Sequence, residues 1–253
     1  MHAPQIHIIA PSTSSLVQGE NLGRDGKLHF IQFGCEDGSV FLFDILTLGM
    51  DAFEHGGLRA LLEDGGVTKL MYDCRHDADA LFHLCGGVRV AGAVDLQIAV
   101  MSTFLADCKT PYLPPYLKAL KEVLPRGEFA RLEAVKLRGR AAFAPDHGGA
   151  YVAWAQRQLP PLLLVYLSMD LCHMFKLRDK HIRAEPSGID AVGGGYTLAE
   201  VARETEERLR KTYERAELPW SYGCVPRSTL SMYAFSSARS INVALNSGRG
   251  SAT

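Results

Sequence analysis

The sequence has no long apolar run, no paired-cysteine motif and no excess of charge of either sign. Its longest mostly apolar stretch, Leu159 to Met169, is interrupted by prolines and is far shorter than the roughly 20 residues that cross a bilayer. Lysine and arginine number 27 against 28 aspartate and glutamate, which argues against a polybasic binder. The six cysteines form no C-x-x-C pair, so neither a zinc site nor a disulfide framework is expected. Residues 1–15 lack the basic start and apolar run of a secretory signal, and we expect an intracellular protein, nuclear or cytoplasmic, without membrane contact.

The composition is that of a globular protein, with 47% hydrophobic and 22% charged residues. Asp37-Gly38 between two β-prone runs predicts a hairpin, because this dipeptide tolerates positive φ. Predicted strands lie at 28–33, 40–44, 67–72 and 88–94. Predicted helices lie at 57–64, 76–85, 95–105, 150–156 and 161–177, with one more opened by the capping box Thr197-x-x-Glu200. A hairpin followed by alternating strands and helices predicts an α/β fold with a mixed sheet.

Two predicted helices each carry a carboxylate on their apolar face. Asp77 shares helical spacing with Ala80 and Leu81, and Asp170 lies one turn after Tyr166 on a stripe that includes Leu163. A carboxylate that faces a core costs several kcal/mol, roughly, unless it is protonated, paired or bound to a metal. For Asp77 a simpler interpretation is a cap at the start of its helix.

Three ordered blocks in the chain resemble a known enzyme family. They are Asn21-Leu22-Gly23-Arg24 with the residues to Gln32, Lys69 to Leu81 followed by Val94 to Ala99, and Trp154-x-x-Arg157-x-Leu159-Pro160-Pro161 with Tyr166-x-x-x-Asp170. These blocks are similar to motifs of the DEDDy-type 3′–5′ exonucleases, the ribonuclease D-like enzymes and related eukaryotic exonuclease-domain proteins. The resemblance implies a ribonuclease H-like fold, in which helices flank a mixed five-stranded sheet.

The resemblance also implies a chemistry. Two divalent cations, Mg²⁺ or Mn²⁺, would act on the terminal phosphodiester of a single-stranded RNA or DNA 3′ end. By the same resemblance Asp77 and Asp170 would be the metal ligands, and Tyr166 would orient the attacking water, which makes Asp77, Tyr166 and Asp170 the candidate catalytic residues. Oxygen ligands of this kind suit hard cations.

The first motif of that family, Asp-x-Glu on the first strand, is absent. Alignment on the Asn21 block places Leu16 and Gln18 at its two carboxylate positions. Glu20 could replace one ligand only if the strand slipped. We therefore expect residues 1–18 to be a divergent segment in place of the first-motif strand, 19–216 to be an exonuclease-like domain, and 217–253 to be a disordered tail that contains no acidic residue after Ser221.

Two explanations of this loss remain open. The chain is either a pseudo-exonuclease that keeps the groove for nucleic acid or a protein partner, or a product whose first residues come from a mis-assigned exon. Three function classes follow: a nuclease that trims a 3′ end, a nucleic-acid-binding module without turnover, and a protein scaffold. Salt-dependent binding of an oligonucleotide and a metal titration separate them.

Overall fold

The computed structural model describes residues 12–104, 113–184 and 195–214 and is built around a five-stranded mixed sheet. The strands are β1 (Ser12–Glu20), β2 (Lys27–Cys35), β3 (Val40–Asp44), β4 (Thr68–Met71) and β5 (Ala93–Asp95), in the order β3-β2-β1-β4-β5. β1 is the central strand, antiparallel to β2 and parallel to β4. The predicted ribonuclease H-like α/β fold is confirmed.

Helices cover both faces of this sheet. They are α1 (Ile45–Leu48), α2 (Asp51–Glu54), α3 (Leu58–Glu63), α4 (Arg75–Leu84), α5 (Leu96–Phe104), α6 (Tyr116–Lys121), α7 (Arg126–Phe143), α8 (Pro161–His181) and α9 (Leu198–Tyr213), with 3₁₀ turns at Pro145–His147 and Tyr151–Ala155. None of the helices in the described part of the chain is long and apolar enough to cross a membrane.

Successive residues of β1 point to opposite faces of the sheet, as in any strand. Val17 packs in a buried cluster with residues of α3, α4 and α9. Leu16 packs on the other side, against the clusters that contain residues of α6, α7 and α8. The middle of β1 therefore lies between the two helices that carry the candidate carboxylates, α4 and α8.

Local sequence signals specify several of these elements. The hairpin between β2 and β3 turns at Gly38, whose φ of 88° suits glycine. The predicted capping box is confirmed, since the Thr197 hydroxyl accepts from the Glu200 amide and the Glu200 carboxylate accepts from the Thr197 amide.

Other predictions of elements need correction. The predicted strand 88–94 is wrong over residues 88–92: the Arg89 amide donates to the Glu63 carboxylate and the Val90 amide to the Tyr213 hydroxyl, so neither pairs along a strand. β1 spans Ser12–Glu20 and so includes Leu16 and Gln18, the two residues aligned with the first motif. The predicted helix 150–156 is a 3₁₀ turn at Tyr151–Ala155. Residues 1–11 and the predicted tail from 217 lie outside the described residues.

Candidate active site

Asp77 joins the first turn of α4 to the middle of β1. Its side chain is buried, and Oδ2 accepts a hydrogen bond from the Val17 amide at 3.2 Å. Burial raises the pKa of the Asp77 carboxyl well above its ordinary value, the Val17 amide opposes this, and the charges of Asp73 and Asp95 raise the pKa further. Asp77 thus lies beside the strand that carries the first motif in the exonuclease pattern.

The turn before α4 is held in place by the buried carboxylate of Asp95, at the end of β5. Asp95 accepts from the amides of Asp73 at 2.8 Å and Cys74 at 3.1 Å. It also accepts from the guanidinium of Arg208, on α9, at 2.7 Å. Charge-assisted bonds of this kind are the stronger hydrogen bonds of a protein, so Asp95 and Arg208 fix the direction in which α4 leaves the sheet.

A second buried carboxylate of α4, Asp79, binds the Asn-Leu-Gly-Arg block. The amide of Arg24 donates to Asp79 Oδ2 at 2.8 Å, and its guanidinium donates to Oδ1 at 2.8 Å. Asp79 therefore anchors the loop after β1 to α4, and its ion pair with Arg24 gives that arginine a structural role.

β1 supplies no carboxylate at the two first-motif positions. Leu16 packs among apolar side chains of the α8 face, and Gln18 is buried. The ladder with β2 is irregular between Gln18 and Gly19, where His29 is the extra residue on β2. Glu20 lies past this bulge at the end of β1, opposite Lys27. Neither leucine nor glutamine provides the negative charge that a two-cation centre requires.

Asp170 of α8 is paired with a buried lysine of α7. The Lys136 ammonium lies 3.0 Å from Asp170 Oδ2, and both side chains are 2% exposed. Burial lowers the pKa of Lys136 to about 7, against the opposing effect of Asp170. Burial likewise raises the pKa of Asp170 well above its ordinary value, against the opposing effect of Lys136. The Lys136 ammonium and the Asp170 carboxylate offset each other's charge and fill the space between α7 and α8.

Tyr166 lies one turn before Asp170 on α8, and its side chain is covered by α7. The Lys136 ammonium lies 3.8 Å from the centre of the Tyr166 ring, a cation–π contact. Gly139, the next turn of α7, packs directly on that ring: a Cβ at this position would lie 2.1 Å from Tyr166 Cδ2. Tyr166 is fully buried. A phosphodiester cannot reach its hydroxyl while α7 keeps this position.

Two of the three candidate residues share a direct contact. Tyr166 and Asp170 both contact Lys136, whereas Asp77 hydrogen-bonds to Val17 and responds to the charges of Asp73 and Asp95. Among the described residues, three or more possible metal ligands converge only at an exposed group on and after α2, namely Asp51, Glu54 and His55. These side chains are exposed, and clusters of exposed acidic groups commonly bind no ion.

The donor set at the candidate site does not fit a pair of divalent cations. Its two carboxylates are Asp77, which accepts from a backbone amide, and Asp170, which contacts an ammonium. The remaining first-motif positions are a leucine and a neutral amide. The metal-binding and catalytic roles that the family resemblance implies for Asp77, Tyr166 and Asp170 therefore lack matching partners in this chain.

Lys136 is the residue of this site that sequence reasoning missed. The buried residues of α7 are Leu132, Val135, Lys136, Gly139 and Phe143, at helical spacing. A lysine on that stripe is the same signal that singled out Asp77 and Asp170, since a buried charge requires a partner. Lys136 does not stand out in the sequence because α7 has many other charged residues, most of them exposed. Its partner lies 34 residues away and is set by tertiary structure.

His173 lies one turn after Asp170 on α8, and its burial predicts how the stability of the protein depends on pH. Burial, then the charges of Lys176 and Lys136, lower its pKa from 6.5 to about 4 against the opposing charge of Glu128. Below pH 6.5 the unfolded chain binds a proton that the folded chain does not, so stability falls as the pH falls towards 4. Between pH 7.5 and 5 this residue is expected to account for about 2 kcal/mol of the loss.

Chemical denaturation of the wild type and of His173→Gln at both pH values measures this contribution. The variant should lose about 2 kcal/mol less than the wild type between pH 7.5 and 5. An equal loss in both proteins would show that His173 takes up its proton as readily in the folded state.

Comparison with known proteins gives a consistent set of relatives. No family model matches the chain. It is 34% identical over 182 residues to the piRNA biogenesis protein EXD1 of Mus musculus, which covers 70% of this chain and 30% of that protein. It is 30% identical over 182 residues to EXD1 of Xenopus laevis, covering 72% of this chain and 39% of that protein. The chain thus spans well under half the length of these relatives.

Among solved structures the chain is similar to ribonuclease D of Trypanosoma brucei. The complex of that enzyme with RNA U12 matches with a TM-score of 0.64 and 25% identity, covering 86% of this chain and 68% of the other. A second crystal structure of the same enzyme matches with a TM-score of 0.63 and 23% identity, which supports the fold. Together these relatives confirm the resemblance on which the candidate site was predicted.

Proposed function

Because this chain carries a ribonuclease D-like 3′–5′ exonuclease domain, we propose that it binds single-stranded RNA without hydrolysing it. The observation that supports this is the central strand: β1 carries Leu16 and Gln18, which align in sequence with the two carboxylates of the family motif. Without them, two divalent cations have too little negative charge to be held at the phosphodiester. The exonuclease-family origin explains the fold, and the loss of ligands explains why turnover is not expected.

RNA is the substrate class that the relatives favour. The solved ribonuclease D was crystallised with an RNA, U12, and the curated relatives are named for piRNA biogenesis. A domain that loses its catalytic carboxylates loses the metal-dependent step, yet phosphate contacts from cationic side chains do not depend on those carboxylates. Binding and hydrolysis are therefore separable in this fold.

A cavity next to α4 provides a surface for such contacts. It has a volume of about 420 Å³ and lies between α5 and α9, with Arg75, Arg208 and Lys211 among its lining residues. Glu204 and Glu207 also line it. Arg75 and Arg208 are already paired with Asp73 and Asp95, so Lys211 is the lining cation most available to a phosphate. The Tyr166 cleft is closed by α7, whereas this cavity is open and borders the first turn of α4.

Lys211 is the lining cation best suited to a test, because its side chain is 68% exposed and pairs with Glu207 on the surface. In Lys211→Glu, we expect binding of a 5′-labelled single-stranded RNA to weaken about fivefold, and the dependence of log affinity on log salt to become shallower by about one. Electrophoretic mobility shift in EDTA at several salt concentrations measures both.

The matched control is Lys118→Glu, a charge reversal at an exposed position on α6. It should change affinity little beyond the effect of net charge. Equal weakening in both variants would remove the cavity from the proposal, and absence of RNA binding by the wild type at low salt would overturn the proposed function.

A further inference from the structure

The pairing of Lys136 with Asp170 occupies the position where the resemblance expects a metal ligand to meet its ion. Asp170 is the third-motif carboxylate, and its contact with a cation is made inside the protein, by the ammonium of Lys136 at 3.0 Å. The same ammonium contacts the face of Tyr166, the other third-motif residue. The Lys136 ammonium therefore contacts both Asp170 and Tyr166, the two side chains that lie beside a metal ion in the family pattern.

Burial makes this arrangement difficult to exchange for an ion in water. Lys136, Asp170 and Tyr166 have almost no exposure to solvent, and Gly139 packs α7 onto the Tyr166 ring. A divalent ion could ligate Asp170 only if the ammonium left, and α7 would have to move with it. The nearest first-motif positions could not compensate, because Leu16 has no donor atom and Gln18 no charge.

We propose that Lys136 is the resident cation of this domain, which replaces the divalent ion at Asp170 and makes both the fold and the ligand binding of the domain independent of Mg²⁺ and Mn²⁺. The inference rests on one part of the proposed function, namely that the site derives from the metal site of an exonuclease. It does not require that RNA be the ligand. In this proposal α7 closes the cleft over Tyr166, and Lys136 of the same helix supplies the positive charge at Asp170.

Titration of Mn²⁺ into the protein, followed by the electron paramagnetic resonance signal of the free ion and by the melting temperature, tests the proposal. The wild type and Asp170→Asn should take up the same small amount of Mn²⁺, and neither melting temperature should rise. Lys136→Met frees the carboxylate, and we expect it to bind Mn²⁺ more tightly than the wild type by about tenfold or more, with a rise in melting temperature. Lys136→Met/Asp170→Asn should lose that gain.

Uptake of Mn²⁺ by the wild type that disappears in Asp170→Asn would overturn the proposal, and so would a Lys136→Met variant that folds but binds no more Mn²⁺ than the double variant. Should Lys136→Met fail to fold, the wild-type and Asp170→Asn titrations decide alone. RNA affinity measured in EDTA and in Mn²⁺ is a separate readout: equal affinities support metal independence, and failure to bind RNA in both concerns only the proposed function.

Discussion

Replacement of Lys136 with methionine is expected to lower the free energy of unfolding by about 3–5 kcal/mol at pH 7.5, the range for removing one partner of a buried ion pair. Both side chains of the pair are 2% exposed, so water cannot take the place of the ammonium. Methionine keeps most of the side-chain volume, and the loss therefore reports the charge contact with Asp170 more than a cavity. Urea denaturation followed by the fluorescence of buried Trp154 measures it.

The loss in Lys136→Met should be smaller at pH 5 than at pH 7.5. Burial raises the pKa of Asp170 above its ordinary value of 3.8. As the pH rises through that ordinary value, the unfolded variant releases a proton that the folded variant keeps. Stability therefore falls with rising pH until the folded pKa is passed.

Two further variants serve as controls for this prediction. Lys136→Met/Asp170→Leu should recover most of the stability, because a buried ion pair can be replaced by apolar residues of similar size. Lys118→Met removes an exposed lysine of α6 and should change stability by less than about 0.5 kcal/mol. Wild-type stability of Lys136→Met at pH 7.5 would show that the contact contributes nothing.

The wild-type chain is expected to leave a 5′-labelled single-stranded RNA uncut in Mn²⁺. Metal-assisted hydrolysis depends on several kcal/mol of transition-state stabilisation, and each 1.4 kcal/mol, roughly, is a factor of ten in rate. Leu16→Asp/Gln18→Glu/Lys136→Met restores both first-motif carboxylates and frees Asp170. Without the Lys136 contact α7 can move off Tyr166 and admit the phosphodiester, and we expect the variant to shorten the RNA from the 3′ end at least about 100-fold faster than the wild type.

The control for this assay is the same triple variant with Asp170→Asn added, which should return to the wild-type rate. Gel electrophoresis of the labelled products over hours resolves the stepwise shortening that a 3′ exonuclease produces. Robust trimming by the wild type that is lost in Asp170→Asn would refute both the proposed function and the role of Lys136.

Much of the fold could be predicted because its signals are local. The Asp37-Gly38 turn, the Thr197/Glu200 capping box and the alternation of strands with helices each depend on residues close together in the chain. Residues 88–92 show where this reasoning fails. They have β-prone side chains, but their amides bind Glu63 and Tyr213, and no local pattern reveals partners so far away.

The sequence by itself determined the α/β order of elements, the helical faces of Asp77 and Asp170, and the absence of carboxylates at positions 16 and 18. Only the tertiary structure decided that a lysine of α7 meets Asp170 and covers Tyr166, and that Asp77 binds the backbone of β1. Periodicity specifies which side of a helix is buried, because burial follows the 3.6-residue turn. It does not specify the partner, because that depends on which helices pack together across many residues of chain.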